Sequence, residues 1–223
     1  MLVSAAVNRI QQRLGRRSDL STEIVNELND AQDRLEGGVQ LLPPFTGVFL
    51  PWFLRSEVGS FSTVAGEERV ALPCDFIREV EEDALWYFNP DAEEVEDEWV
   101  ELVKDSTDFL RGDKPGSGPP EKYSIDGAYF RIFPTPDDVY ELKFVCFKRA
   151  ADATISPDVE TVWLKHAPYL VIGEAGYEMA MILRDQNAVQ YFDKMKKEEA
   201  QRLFVTHEAR EHDNRRYAMG DQD

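Results

Sequence analysis

The sequence predicts an α+β fold: a bundle of helices from both termini, a central antiparallel β-sheet or sandwich insertion, and an extended C-terminal tail. Three observations carry this prediction. Apolar residues recur at helical spacing near the start of the chain. They recur at a period of two through its middle, and at helical spacing again from Val159. The 223 residues suffice for a substantial core without disulfides or metals. The resulting boundaries are 1–54 for the first helices and a crossover, 55–150 for the β insertion, 151–206 for the closing helices and 207–223 for the tail.

In the first helix Leu2, Ala6, Ile10 and Leu14 share a face, and Gly15 is placed to end it. The second follows Ser18, Asp19 and Ser21, any of which suits a cap. Its stripe is Ile24, Leu28, Ala31 and Leu35, with Gly37 and Gly38 as the stop. The next segment, LLPPFTGVFLPWFL, is apolar but broken by prolines, so it reads as a crossover. Trp52 and Phe53 are its anchors, either in the core or against a neighbouring subunit.

Between residues 57 and 149 the sequence predicts five to seven antiparallel strands. One hairpin turns at Ala65-Gly66 and a second at Asp126-Gly127. GDKPGSGPPEK, residues 112–122, has loop composition. Trp163, Ala167, Leu170, Glu174, Tyr177 and Met181 then follow helical spacing, and residues 185–204 form an amphipathic helix rich in Lys and Glu. The final residues lose apolar periodicity.

The formal net charge is -18, from 43 acidic and 25 basic side chains. Such a chain repels nucleic acid unless its bases are gathered on one face, and no basic cluster of duplex size is evident. Ten acids lie between residues 79 and 98 with no Lys or Arg among them: Glu79, Glu81, Glu82, Asp83, Asp91, Glu93, Glu94, Glu96, Asp97 and Glu98. They lack the alternation and central glycine of a calcium loop. They read either as a solvated loop or as an acidic surface around the axis of an oligomer. The two cysteines, Cys74 and Cys146, sit in strand-like surroundings and read as buried free thiols of a reducing compartment. The amphipathic start does not read as a signal peptide, and no apolar run has the length of a membrane span, so a soluble, cytosolically made protein is expected.

Catalytic patterns are sparse. His166 lies beside Trp163 and Pro168 and reads as a packed or interfacial histidine. His207 and His212 are five apart, unlike a helical metal pair. There is no zinc-type cysteine pair, phosphate loop or nucleophile elbow. Asp137, Glu141 and Lys143 have the residue types of a metal-dependent phage nuclease, with Glu141 and Lys143 on one strand face. Asp137 is too close in sequence to come from a separate strand, and a turn aspartate beside a cross-strand ion pair accounts for the same letters. No cofactor or metal is expected, and the chain reads as a non-enzyme.

Five segments, in order, carry a resemblance: LSTEIVNELNDAQDRLEGG, PWFLRSE, VALPCDFIREVEEDALWYF, YFRIFPTPDDVYELKFVCFKRA and WLKHAPYLVIGEAGYEMA. Over most of its length the chain resembles the head-to-tail adaptor, or tail accessory, proteins of tailed phages. The resemblance implies a structural virion protein of the tail or neck, made in the host cytoplasm. It implies a homo-oligomeric ring of about twelve copies beneath the portal. That ring extends the DNA channel for ejection, without sequence-specific DNA binding, and offers a platform to tail tube, nozzle or fibre proteins. No membrane is involved. The C-terminal tail would reach the portal, with Arg210, Arg215, Arg216, Tyr217 and Met219 as docking residues; an inert tail is the alternative. Trp52, Phe53, Trp163 and His166 are candidate subunit-contact anchors. The competing readings are the nuclease and an assembly-chaperone module.

Overall fold

A computed structural model describes residues 1–41, 47–80, 84–90, 98–106 and 116–219, with the backbone alone for 41, 60 and 211–219. The chain is α+β. It divides into two compact units, one formed by Met1–Leu54 with Arg149–Asp223 and the other by Arg55–Lys148.

The first unit opens with α1 (Val3–Arg13) and α2 (Ser21–Glu36). The apolar positions at helical spacing explain both. Ala6, Ile10 and Leu14 are buried, as are Ile24, Leu28, Ala31 and Leu35. Leu2 is instead exposed, because the helix begins only at Val3. Gly15 has φ +76°, the left-handed geometry that lets a chain leave a helix. The expected cap on α2 is absent. Ser18–Leu20 form a 3-10 turn, and the Ser21 hydroxyl donates to Ser18 O while accepting from Gln11 Nε2.

A hairpin of β1 (Val39–Leu41) and β2 (Gly47–Phe49) follows, and then a 3-10 turn at Trp52–Leu54. The remaining helices are α3 (Val162–His166), α4 (Pro168–Ile182) and α5 (Gln186–Met219). The helical spacing that ran through residues 163–181 is thus split. Pro168 disfavours the helical region for Ala167, which adopts φ -137° and ψ 53°. α4 packs against α1, α2, α3 and α5, so its buried residues surround it: Leu170, Val171, Ile172, Ala175, Met179 and Ala180. Two glycines let α5 approach. A Cβ on Gly173 would lie 2.9 Å from Lys196 N, and one on Gly176 would lie 2.5 Å from the Phe192 ring. Asp185 caps α5, its Oδ1 accepting from Asn187 N and Ala188 N at 3.1 Å each.

The expected extended tail is corrected: α5 continues to Met219. Residues 207–219 lack apolar periodicity, but they contain neither Pro nor Gly and are rich in Glu, Ala and Arg, whose intrinsic propensity sustains a helix.

The second unit is built on β13 (Glu141–Lys148). One edge of it pairs antiparallel with β3 (Arg55–Ser62), the other with β5 (Phe76–Glu79) and β6 (Leu85–Phe88). β6 carries β7 (Trp99–Glu101). A second sheet runs in the order β4 (Arg69–Ala71), β11 (Tyr129–Phe133), β10 (Lys122–Asp126) and β8 (Val103–Lys104). β9 (Ser117–Gly118) and β12 (Thr135–Pro136) form a short pair. The unit therefore holds eleven strands among the described residues rather than five to seven. The β8–β10 and β9–β12 pairings are parallel, against the all-antiparallel expectation. The β10–β11 hairpin forms as predicted, with Gly127 at φ +63°. The Ala65-Gly66 turn does not make a hairpin: β3 pairs with β13 and β4 with β11, so the turn links two sheets. The faces of those sheets meet at Phe130 and Phe144, whose rings stand edge to face 4.7 Å apart. Tyr123, Leu85, Ile132, Leu142 and Cys146 complete the core. Cys74, expected to be buried, is exposed.

Candidate functional site

The 3-10 turn after β2 and the end of α3 bring together the anchors read from the sequence. Phe53 stacks on His166 at 5.1 Å and meets Trp163 edge to face at 5.0 Å. Trp52 meets His166 edge to face at 5.0 Å, and the Arg210 guanidinium of α5 lies 3.7 Å over its ring. Trp52, Phe53 and His166 are half-buried. Trp163 is fully buried, so as an anchor it is corrected to a support beneath this surface, unable to touch a neighbour itself. Its Nε1 donates to Glu36 Oε1 at 3.2 Å. Burial lowers the His166 pKa, reinforced by Lys165 and Arg210, which favours the neutral imidazole. Trp52, His166, Arg202, Thr206 and Arg210 border a pocket of about 180 Å³. An aromatic floor with guanidinium groups at the rim suits contact with another protein surface.

Below this cluster lies a set of polar residues that the sequence reading passed over. Asn29, Gln32 and Glu36 of α2 follow helical spacing beside the apolar stripe. Asn29 Oδ1 accepts from Ala153 N at 2.7 Å, Gln32 Oε1 from Thr161 Oγ1 at 2.6 Å, and Glu36 Oε1 from Ala150 N at 2.7 Å. α2 thereby fastens residues 150–161 along its length. The available signal was a second, polar stripe at the same period as the apolar one.

The acidic residues are placed in part. Glu79 is paired inside the β unit, accepting from Tyr123 Oη at 3.2 Å and held by Lys104. Glu98 is half-buried, and its carbonyl accepts from Asn89 N at 2.7 Å. Glu81, Glu82, Asp83, Asp91, Glu93, Glu94, Glu96 and Asp97 lie outside the described residues.

The sequence matches the family described as SU10 adaptor protein over residues 1–220. The chain belongs to that family. It is thus a phage structural adaptor protein and a virion component. No curated protein matches it.

In this SU10-family adaptor the residues with nuclease-like spacing hold separate partners. Asp137 accepts from Tyr140 Oη at 2.7 Å, which pushes the phenol up to about 12. Lys143 pairs with Glu57 at 3.3 Å. Among the described residues no three His, Cys, Asp or Glu side chains gather as a metal site, and no helix is long and apolar enough to cross a membrane. His207 stacks on Phe49 at 5.2 Å. Arg215, Arg216, Tyr217 and Met219 lie on the last turns of α5, and Arg210 is their one described companion side chain.

Proposed function

We propose that this adaptor forms a ring of about twelve copies beneath the portal, extends the DNA channel and carries tail components on its outer side. The observation that supports this reading best is the reach of α5. The helix runs from Gln186 to Met219, yet its last buried residue, among those whose side chains are described, is Leu203. A helix that continues beyond its buried stretch has surface to give to a partner. Its far end carries Arg215, Arg216 and Tyr217, residue types that anchor interfaces. The portal is the partner that this end would dock. Within the acidic stretch 79–98, Glu81, Glu82 and Asp83 would keep phosphates from sticking as DNA passes, since repetition around an axis multiplies their charge.

The deciding experiment mixes the portal with the full chain or with a chain ended after Glu208, and weighs the products by native mass. The full chain should bind in ring stoichiometry and the shortened one should not, with its melting temperature reported as a check on the fold. Unchanged portal binding after the truncation would refute the docking role. Tight duplex binding by assembled rings at low salt would refute the non-stick channel.

A further inference from the structure

α1 carries two arginines one turn apart, and each is held over a tyrosine from a different helix. Arg9 lies 4.5 Å from the ring centre of Tyr169 on α4, its Nη1 donating to Tyr169 Oη at 3.3 Å. Arg13 lies 4.0 Å from the ring centre of Tyr191 on α5. Among the described residues neither arginine makes an ion pair, although the chain carries a net charge of -18. A guanidinium stacked on an aromatic face is pre-organised and keeps its N–H edge for a planar anion. Arg9 and Tyr191 border two adjoining clefts of about 540 Å³ and 340 Å³, which leave room for such an anion on either side.

We propose that this Arg9–Arg13 groove receives an acidic peptide segment from a second copy of the chain, namely the run from Asp91 to Glu98. That run supplies Asp91, Glu93, Glu94, Glu96, Asp97 and Glu98 without an intervening base, so its charge complements the groove. A peptide fits better than a nucleic acid. Duplex binding needs several phosphate contacts along an extended basic face, whereas among the described residues the two clefts are bordered by three basic side chains, Arg9, Arg13 and Lys194. Two unlike surfaces meeting head to tail are what a cyclic assembly requires. The inference rests on the ring reading above and deepens it by naming which surfaces meet.

The test uses a fluorescent peptide of residues 89–99 added to the intact protein at low salt, followed by anisotropy. The wild-type chain should bind it, and R9E/R13E should bind at least about tenfold more weakly, the size expected for losing close interfacial charge pairs. Unlabelled full-length R9E/R13E, which keeps the acidic run, should displace the peptide from the wild-type chain. A chain carrying Glu93→Gln, Glu94→Gln, Glu96→Gln and Asp97→Asn should not. Binding no stronger than that of a scrambled neutral peptide, or unchanged by R9E/R13E, overturns the proposal. So does tighter binding of a labelled DNA duplex with the same arginine dependence, which would make the groove a nucleic-acid site. The peptide assay needs no ring, so its failure leaves the ring reading standing. Failure of the portal experiment alone leaves the groove standing.

Discussion

Glu36 is a carboxylate only 5% exposed, with two N–H donors converging on one oxygen. Burial raises its pKa above 4.5, and the hydrogen bonds from Ala150 and Trp163 offset this only in part. A carboxyl whose folded pKa is raised gives its full stability below the unfolded pKa and loses it as pH rises through the folded one. The Glu36 contribution to the unfolding free energy should therefore decline as pH climbs from about 4.5. Glu36→Gln keeps an acceptor and has no charge to bury, so this part of the decline should vanish in urea titrations across pH. Glu36→Ala leaves both donors without their acceptor and should cost about 2–3 kcal/mol. A pH slope unchanged in Glu36→Gln would contradict the assignment. The cysteines give a second contrast at this scale. Burial pushes the Cys146 thiol up to about 11, while Cys74 is exposed. A colorimetric disulfide reagent at pH 8 should titrate Cys74 at once in the native protein, and Cys146 only after unfolding. Rapid reaction of both would show that the β core opens readily.

The contact of α4 with α5 depends on what Gly173 and Gly176 lack. Alanine favours a helix over glycine by about 1 kcal/mol, so propensity alone predicts that either substitution stabilises. Packing predicts the reverse. The new Cβ of Gly176→Ala would enter the buried Phe192 ring, and that of Gly173→Ala would meet the backbone of Lys196. Each should cost about 1–3 kcal/mol by thermal or urea unfolding. Phe192→Leu should recover part of the Gly176→Ala loss and none of the Gly173→Ala loss, since a backbone clash has no side chain to trim. A stabilised Gly176→Ala would mean that the helices lie farther apart. Elements like these mark what a sequence can and cannot disclose. The stripe Ile24, Leu28, Ala31 and Leu35 and the Asp126-Gly127 turn were legible because their cause is local. The destinations of β3 and β4 were not, because the Ala65-Gly66 turn signals a reversal without naming the strands' partners. The helical end of α5 was hidden by its polarity, since periodicity reports burial rather than conformation. At the site, Trp52, Phe53 and His166 stood out by type. The placement of Arg210 over Trp52, or of Tyr169 under Arg9, joins residues about 160 apart in sequence, and no local pattern encodes such a pairing.

For the whole molecule the dominant electrostatic fact is the excess of 43 acids over 25 bases. Ion pairs such as Arg131–Glu68 at 2.6 Å and Lys196–Glu174 at 3.3 Å take up part of the acidity. They are half-exposed and individually worth about 1 kcal/mol or less. The remaining negative charges repel one another, and folding crowds them closer than they stand in the unfolded chain. Screening acts on both effects with opposite signs: it weakens the pairs and relieves the repulsion. At 0.1 M salt the screening length is about 10 Å, longer than an ion pair but short against the width of the protein. Added salt should therefore relieve the long-range repulsion more than it weakens the contacts. Raising potassium chloride from about 20 to about 200 mM should increase the melting temperature by a few degrees, the shift that roughly 1 kcal/mol produces in a chain of this size. Potassium sulfate at matched ionic strength should reproduce the initial rise if screening is the cause, and exceed it only at higher concentration, where exclusion of the anion from the surface takes over. A melting temperature that falls with chloride would show that the ion pairs outweigh the repulsion. The acidity of the isolated chain would then give no reason to expect repulsive crowding when copies gather around a channel.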